Sequence, residues 1–471
     1  MSSSPRLSSY AHHVINRVTF GQTPEILREV SLVGTGSYVQ RQLLPNSIND
    51  SACNNLLGAF RRLYRPTPEL VASNQQWEVQ NELAGMSVIR AVHSRRQLQE
   101  VMVDFWSNHL SVNASKRRVA FMLPRDNALF RARAFGRFED LLIASAKSLS
   151  MLTYLDNRSS RADINRPPNE NYARELLEIH TLGRPDAFSE TDVKAVAHIF
   201  TGWTIDTGSW TFQFRSSWNR LGPAQGRNIL GWTPRYPDGR IENGEWMLRH
   251  LARHPATAKN ICHKLCRHFI DDSIGVNDPA VQQVVARYNS SYTDIRATLA
   301  TLFTTSAFRD SPAARVKRPN ELLFAMLRAT NADFNLGDVQ RFSRGIKEEL
   351  VRLRQVTYEA PSPKGYPIDD AAWMDASSLI NRWNLAFRVA ANRVENTRID
   401  TAAIGSGARL AGELVDRIGI QLLGRPLPEA ERRHLLTHLG ASSDTPLTAR
   451  MQRKRAALIG LTLASPTFQA R

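Results

Sequence analysis

Apolar residues return every three or four positions along almost the whole chain, and that spacing leaves little room for any fold but a helical one. The clearest runs are "ELAGMSVIRAVHSRRQLQEVMVDFWSNHL", "RFEDLLIASAK", "SETDVKAVAHIFTGW", "RATLATLFTTSAF", "NELLFAMLRATNAD" and "GELVDRIGIQLLG". Each closes on Gly, Pro, Asn or a polar turn, where a helix stops. The pattern predicts a mainly α protein with a large helical body over residues 1–356 and a C-terminal helical lobe over 357–471, separate from the body or continuous with it. With 471 residues, 42% of them hydrophobic, there is ample material for a substantial core.

One stretch breaks the rhythm. Residues 203–244 hold Trp203, Trp210, Trp218 and Trp232 amid Gly and Pro, with strand-like "SWTFQF" and "RNILGW". They predict an irregular insertion carrying a small β-hairpin, whose tryptophans, Trp203 among them, form either a platform for a ligand or an internal staple. A second irregular stretch, "TYEAPSPKGYPIDDAAW" at 357–373, marks either a lobe boundary or a loop lying across the body. "IRATLATLFTTSAF" and "RAALIGLTLASPTF" echo one another, but two copies of low identity do not establish a repeat.

Lys plus Arg number 61 against 44 Asp plus Glu, a formal net charge of +17. Such an excess serves solubility or draws the chain to polyanions. It is densest over 116–137, where Lys116, Arg117, Arg118, Arg125, Arg131, Arg133 and Arg137 alternate with Phe121, Phe130 and Phe135, Phe138 following. On a surface these residues would hold a nucleic-acid backbone and stack on bases; in short amphipathic helices the phenylalanines face the core and the arginines face water. Three cysteines imply no disulfide framework. Cys262 and Cys266 fall with Leu265 and Phe269 on one apolar helix face, two thiols where a closed zinc site needs four ligands. No 18 apolar residues follow one another, so no membrane span is expected, and the start as written has no signal-peptide run, which predicts a cytoplasmic protein.

The densest mixture of charge is "NENYARELLEIHTLG", residues 169–183. Asn169 suits a helix N-cap, and Gly183 followed by Pro185 suits its end. At about 100° per residue, Glu170, Asn171, Arg174, Glu175 and Glu178 share one arc, opposite Tyr172, Ala173, Leu176, Leu177 and Ile179. His180 falls on the apolar side, so no helix-local Glu-x-x-His metal motif exists. The arc has two readings. In one, Glu170 with Arg174 and Arg174 with Glu178 are i, i+4 pairs on a wet face. In the other, it lines a cleft where burial and Arg174 push neighbouring carboxylates apart into an acid and a base. Along "LQEVMVDFWSNH", Leu98, Val101, Met102, Phe105 and His109 form a buried stripe flanked by Asp104 and Asn108. Convergence of Asp104, His109 and Asp156 on the Glu arc would suit acid–base hydrolysis or a divalent metal.

Taken together, "HVINRVTFGQTPEILREV", "VDFWSNHLSV", "MLTYLDN", "NENYARELLEIHTLG", "FTGWTI", "HPATAKNICHKLCRHF", "SSLINRWNLAF" and "LASPTFQ" stand in the order found in a bacterial family, domain of unknown function 1800, which the whole chain resembles. The resemblance implies no established activity. Many members look exported and are encoded beside a sulfatase-like family, which implies an envelope or polymer-processing setting for them. Two departures matter: Ser148 and Leu149 stand where relatives usually show His-Pro, and "SSWNRLGPAQGRNILG" lacks a His-Asp that relatives tend to carry. No Gly-rich phosphate loop, nucleophile elbow or His-Glu-x-x-His motif narrows the reaction.

The expected function is a carboxylate-dependent hydrolase of a polysaccharide or glycan. Glu170, Glu175, Glu178, Asp104 and Asp156 are its candidate catalytic residues. Arg174, Asn171, His109 and Trp203 are its candidate substrate contacts. No metal ligands are assigned, and the cofactor is left open. The competing readings are a non-catalytic binding or scaffold protein with a protein partner and, third, a nucleic-acid binder working through 116–137.

Overall fold

The computed structural model describes residues 7–116, 118–165, 167–224, 226–311 and 315–471. Among these it has 25 α-helices and only two sheets, each of two antiparallel strands. The helix Pro319–Ala329 is buried along its entire length, its polar Asn320, Glu321 and Arg328 each held by hydrogen bonds to other parts of the chain. Around it pack Gln76–His93, Val339–Arg352, Ala376–Ala390 and Ala411–Leu423. Gly85 sits where Gln76–His93 meets Val339–Arg352, and a Cβ there would run into the Ser343 side chain. A single apolar cluster extends from Ala11 to Phe468 and so passes through both sides of residue 357. A short sheet pairs Asp333–Phe334 with Thr397–Arg398 across the same boundary.

The predicted hairpin is present, with one strand elsewhere than expected. Trp203–Asp206 pairs with Thr211–Phe214, Trp203 opposite Phe214. "RNILGW" is no strand: Ile229 and Trp232 exchange both backbone bonds around a tight turn. The 357–373 stretch is a loop tied to the body at several points. The Ala114 N–H donates to the Tyr358 carbonyl (2.7 Å), and the Asn113 amide donates to the Ala360 carbonyl (2.8 Å). Further on, Arg315 donates to the Ile368 carbonyl (2.7 Å). The two echoing segments share a local design, a helix, then a Thr or Ser cap, then one turn carrying a buried Phe: Thr305 caps Phe308, and Ser465 caps Phe468. No described helix is long and apolar enough to cross a membrane.

Candidate functional site

The motif helix starts one residue later than the sequence predicts, with Glu170 and not Asn169 at its N-cap. The Asn169 side chain accepts from the Asn171 N–H (2.9 Å), and α-helix runs over Asn171–Glu175. It then widens into a π-helix over Leu176–Thr181, with the Leu182 N–H reaching back to the Leu177 carbonyl (3.0 Å) and Thr181 Oγ1 donating to the Leu176 carbonyl (2.6 Å). Gly183, at φ +75°, ends it. Helix ends leave carbonyls without partners, and here side chains from two other helices serve them. Lys264 Nζ lies 3.5 Å from the Ile179 carbonyl, His109 Nε2 3.1 Å from that of His180, and Asn260 Nδ2 donates to that of Thr181 (2.7 Å).

A carbonyl only accepts, so His109 carries its proton on Nε2, and Nδ1 is left to accept from the Lys264 ammonium (3.3 Å). Burial, aided by the neighbouring Lys264 charge, holds His109 well below the usual histidine value. Burial likewise lowers His180 to about 3, and both rings are neutral. Burial, with Arg267 adding repulsion, brings Lys264 down to about 8, so a modest fraction of the amine is free near neutral pH.

Lys264 and Asn260 of this cluster form the floor of an open cleft of about 650 Å³, within the range of small-ligand sites. Phe105, Asn108 and His109 form one side, Glu178, Ile179 and Gly183 another, and residues 361–369 of the loop a third. The loop is clasped there by one amide: Asn108 Nδ2 donates to the Tyr366 carbonyl (3.0 Å) and its Oδ1 accepts from the Tyr366 N–H (2.7 Å). Gly365, at φ +75°, makes the clasp possible, because a Cβ there would strike the Asn108 backbone carbonyl. Lys364 reaches to 3.9 Å from Glu178. Burial, and then the charge of Glu178, raise the Glu175 carboxyl above the usual glutamate value. Glu175 Oε2 is buried with no hydrogen-bond partner.

Of the shortlisted residues Glu178 and His109 line the cleft; Glu175 adjoins Glu178 without being part of the lining, and the others lie apart from it. Glu170 and Arg174 pair at 3.3 Å, but Arg174 gives both its other bonds to Glu190 (2.7 and 2.8 Å) and none to Glu178. The i, i+4 expectation for Arg174 and Glu178 is thereby corrected, since a π-turn rotates Glu178 off the regular helical arc. Asn171 is exposed on the same outer face. Asp104 turns to Arg318 and Asn320, beside a cavity of about 70 Å³ that shares Asn108, Arg318 and Tyr366 with the cleft. Asp156, at φ +59°, forms a half-exposed pair with Lys116 (2.8 Å). Trp203 is 1% exposed, packed edge-on against Phe200 and Phe212 and covered by Gly244. It is a staple of the insertion and presents no face to a ligand.

In the basic segment Phe121, Phe130, Phe135 and Phe138 are all buried, so none of them is available to stack on bases. Arg131 turns inward to Glu100; Arg117 lies outside the described residues. Cys262 and Cys266 are buried on their helix, and burial pushes the Cys266 thiol up to about 12. Among the described residues no three His, Cys, Asp or Glu side chains are grouped to hold a metal ion.

A family model described as "Protein of unknown function (DUF1800)" matches residues 13–470. The chain belongs to this family. No curated protein and no solved structure matches it. The DUF1800 match takes in every wall of the cleft. Several residues of this cleft escaped the sequence shortlist, among them Lys264, Asn108, Asn260 and Lys364. Lys264 lies one step from the Cys262–Cys266 stripe, and a lysine bordering an apolar helix face was its only signal.

Proposed function

We propose that the protein is a glycan hydrolase working at this cleft, with Glu178 of its lining and Glu175, which adjoins Glu178 on the motif helix, as its carboxylate pair. The observation carrying the reading is the unequal surroundings of two neighbouring carboxyl groups. Glu175 is raised by burial and has an unpartnered oxygen, whereas Glu178 faces the Lys364 ammonium across the cleft mouth. Unequal environments of this kind separate an acid from its ionised partner. Glu175 gives its proton to the glycosidic oxygen as the bond to the anomeric carbon breaks. Glu178 faces the positive charge that develops on the sugar ring; water then bonds to the anomeric carbon and gives one proton to the Glu175 carboxylate, which restores the acid. Asn108 positions the loop wall, and Lys264 and Asn260 form the floor on which the ligand rests.

The test is release of reducing ends from a panel of polysaccharides by wild type, Glu175→Gln, Glu178→Gln and Glu170→Gln. Removing a general acid lowers turnover about 10²- to 10⁴-fold, so Glu175→Gln and Glu178→Gln lose activity while Glu170→Gln, on the outer face, keeps it. Equal activity in wild type and Glu175→Gln, or turnover of none of the panel, overturns the reading.

A further inference from the structure

We infer that the cleft floor at Lys264 docks an acidic group of the ligand, a carboxylate or a sulfate ester, so that the ligand is an anionic glycan. This rests on the cleft being the substrate site, and it is carried by a count of charge partners. Each other cation lining the cleft already has a carboxylate: Arg267 has Asp369, Arg318 has Asp104 and Glu321, and Lys364 has Glu178. Lys264 has none among the described residues. Its nearest polar atoms are the neutral His109 Nδ1 at 3.3 Å and the Ile179 carbonyl at 3.5 Å.

An ammonium has three donors, and these two long contacts leave at least one for a ligand. Taking a cation out of water without a counter-ion is costly, and an arriving anion with a charge-assisted hydrogen bond offsets that cost. Neighbouring groups support an anion and do not supply one. His109 from its own helix and His180 from the motif helix are neutral. Arg267 and His268 flank Lys264 on its helix, and the loop adds Lys364 and Asp369. Glu178, the other carboxylate of the lining, is drawn to Lys364.

The experiment is calorimetric titration of the full chain with glucuronate, with inorganic sulfate and with a neutral glucose oligosaccharide, using wild type, Lys264→Met and Glu175→Gln. Loss of a charge-assisted bond weakens acidic-probe binding about tenfold or more in Lys264→Met, and weakens it more than neutral-probe binding. In wild type the same loss appears on going from about pH 6 to about pH 9.5, as the amine gives up its proton, which keeps the test decisive even if the variant fails to fold. Whichever acidic probe binds tighter identifies the group. Unchanged binding in folded Lys264→Met, no pH dependence in wild type, or no binding of either acidic probe overturns the inference. Glu175→Gln separates it from the hydrolase reading: full acidic-probe binding without turnover supports both, and turnover that depends on Glu175 with binding indifferent to Lys264 overturns this inference alone.

Discussion

Asp126 shows what burial does to one side chain. It is 4% exposed and accepts from Ser150, and burial, only partly offset by the Ser148 hydroxyl and by Arg125, raises its carboxyl to about 7. A carboxyl raised on folding keeps its proton in the native state while the unfolded chain has lost it, so the native state binds more protons. Stability therefore falls as pH climbs from about 4 to about 7, by roughly a few kcal/mol, and the loss is complete above that window. Asp126→Asn keeps an acceptor for Ser150 and has no proton to lose, so its urea-unfolding free energy should be flatter across that window than the wild-type value. Glu175, raised in the same direction by burial, bears on function: activity should decline as pH rises through its value, and that alkaline limb of kcat/KM should vanish in Glu175→Gln. Sequence alone could not separate Glu175 from Glu170. Both sit on one charged arc, and only the tertiary neighbours, Glu190 for Arg174 and Lys364 for Glu178, divide the arc into a wet half and a cleft half.

At the scale of elements, the helices were legible because burial repeats with the helical period, and Phe105, His109 and His180 point inward as the pattern requires. The π-turn was not legible. Its residues carry an ordinary apolar spacing, and the widening shows only in bonds such as Leu182 to Leu177. The loop wall was legible as a loop but not as a wall, because its place depends on one distant amide, Asn108. Gly365→Ala should break that clasp through a clash with backbone and an unfavourable positive φ, destabilising the protein by about 1–3 kcal/mol. Thermal melts read the first effect; weaker binding of the acidic probes, with Lys264 intact, reads the second. Gly183→Ala carries a similar penalty, since its Cβ would meet the Asn260 amide that serves the Thr181 carbonyl.

At the scale of the molecule, the shared core and the 333–334 to 397–398 sheet predict one cooperative unfolding unit across residue 357. Far-ultraviolet dichroism and tryptophan fluorescence should give coincident transitions, and two separated transitions would mean independent lobes. Composition indicated a large core but not its continuity, since that rests on contacts between residues hundreds of positions apart. The three carbonyl clasps at the end of the motif helix join residues separated by 71, 79 and 85 positions. Contacts of such range close late, after local helices have formed. The cleft floor therefore belongs to the last stage of assembly: during refolding, helical dichroism should return first and competence to bind should follow it, so that a chain able to hold its ligand is already a finished one.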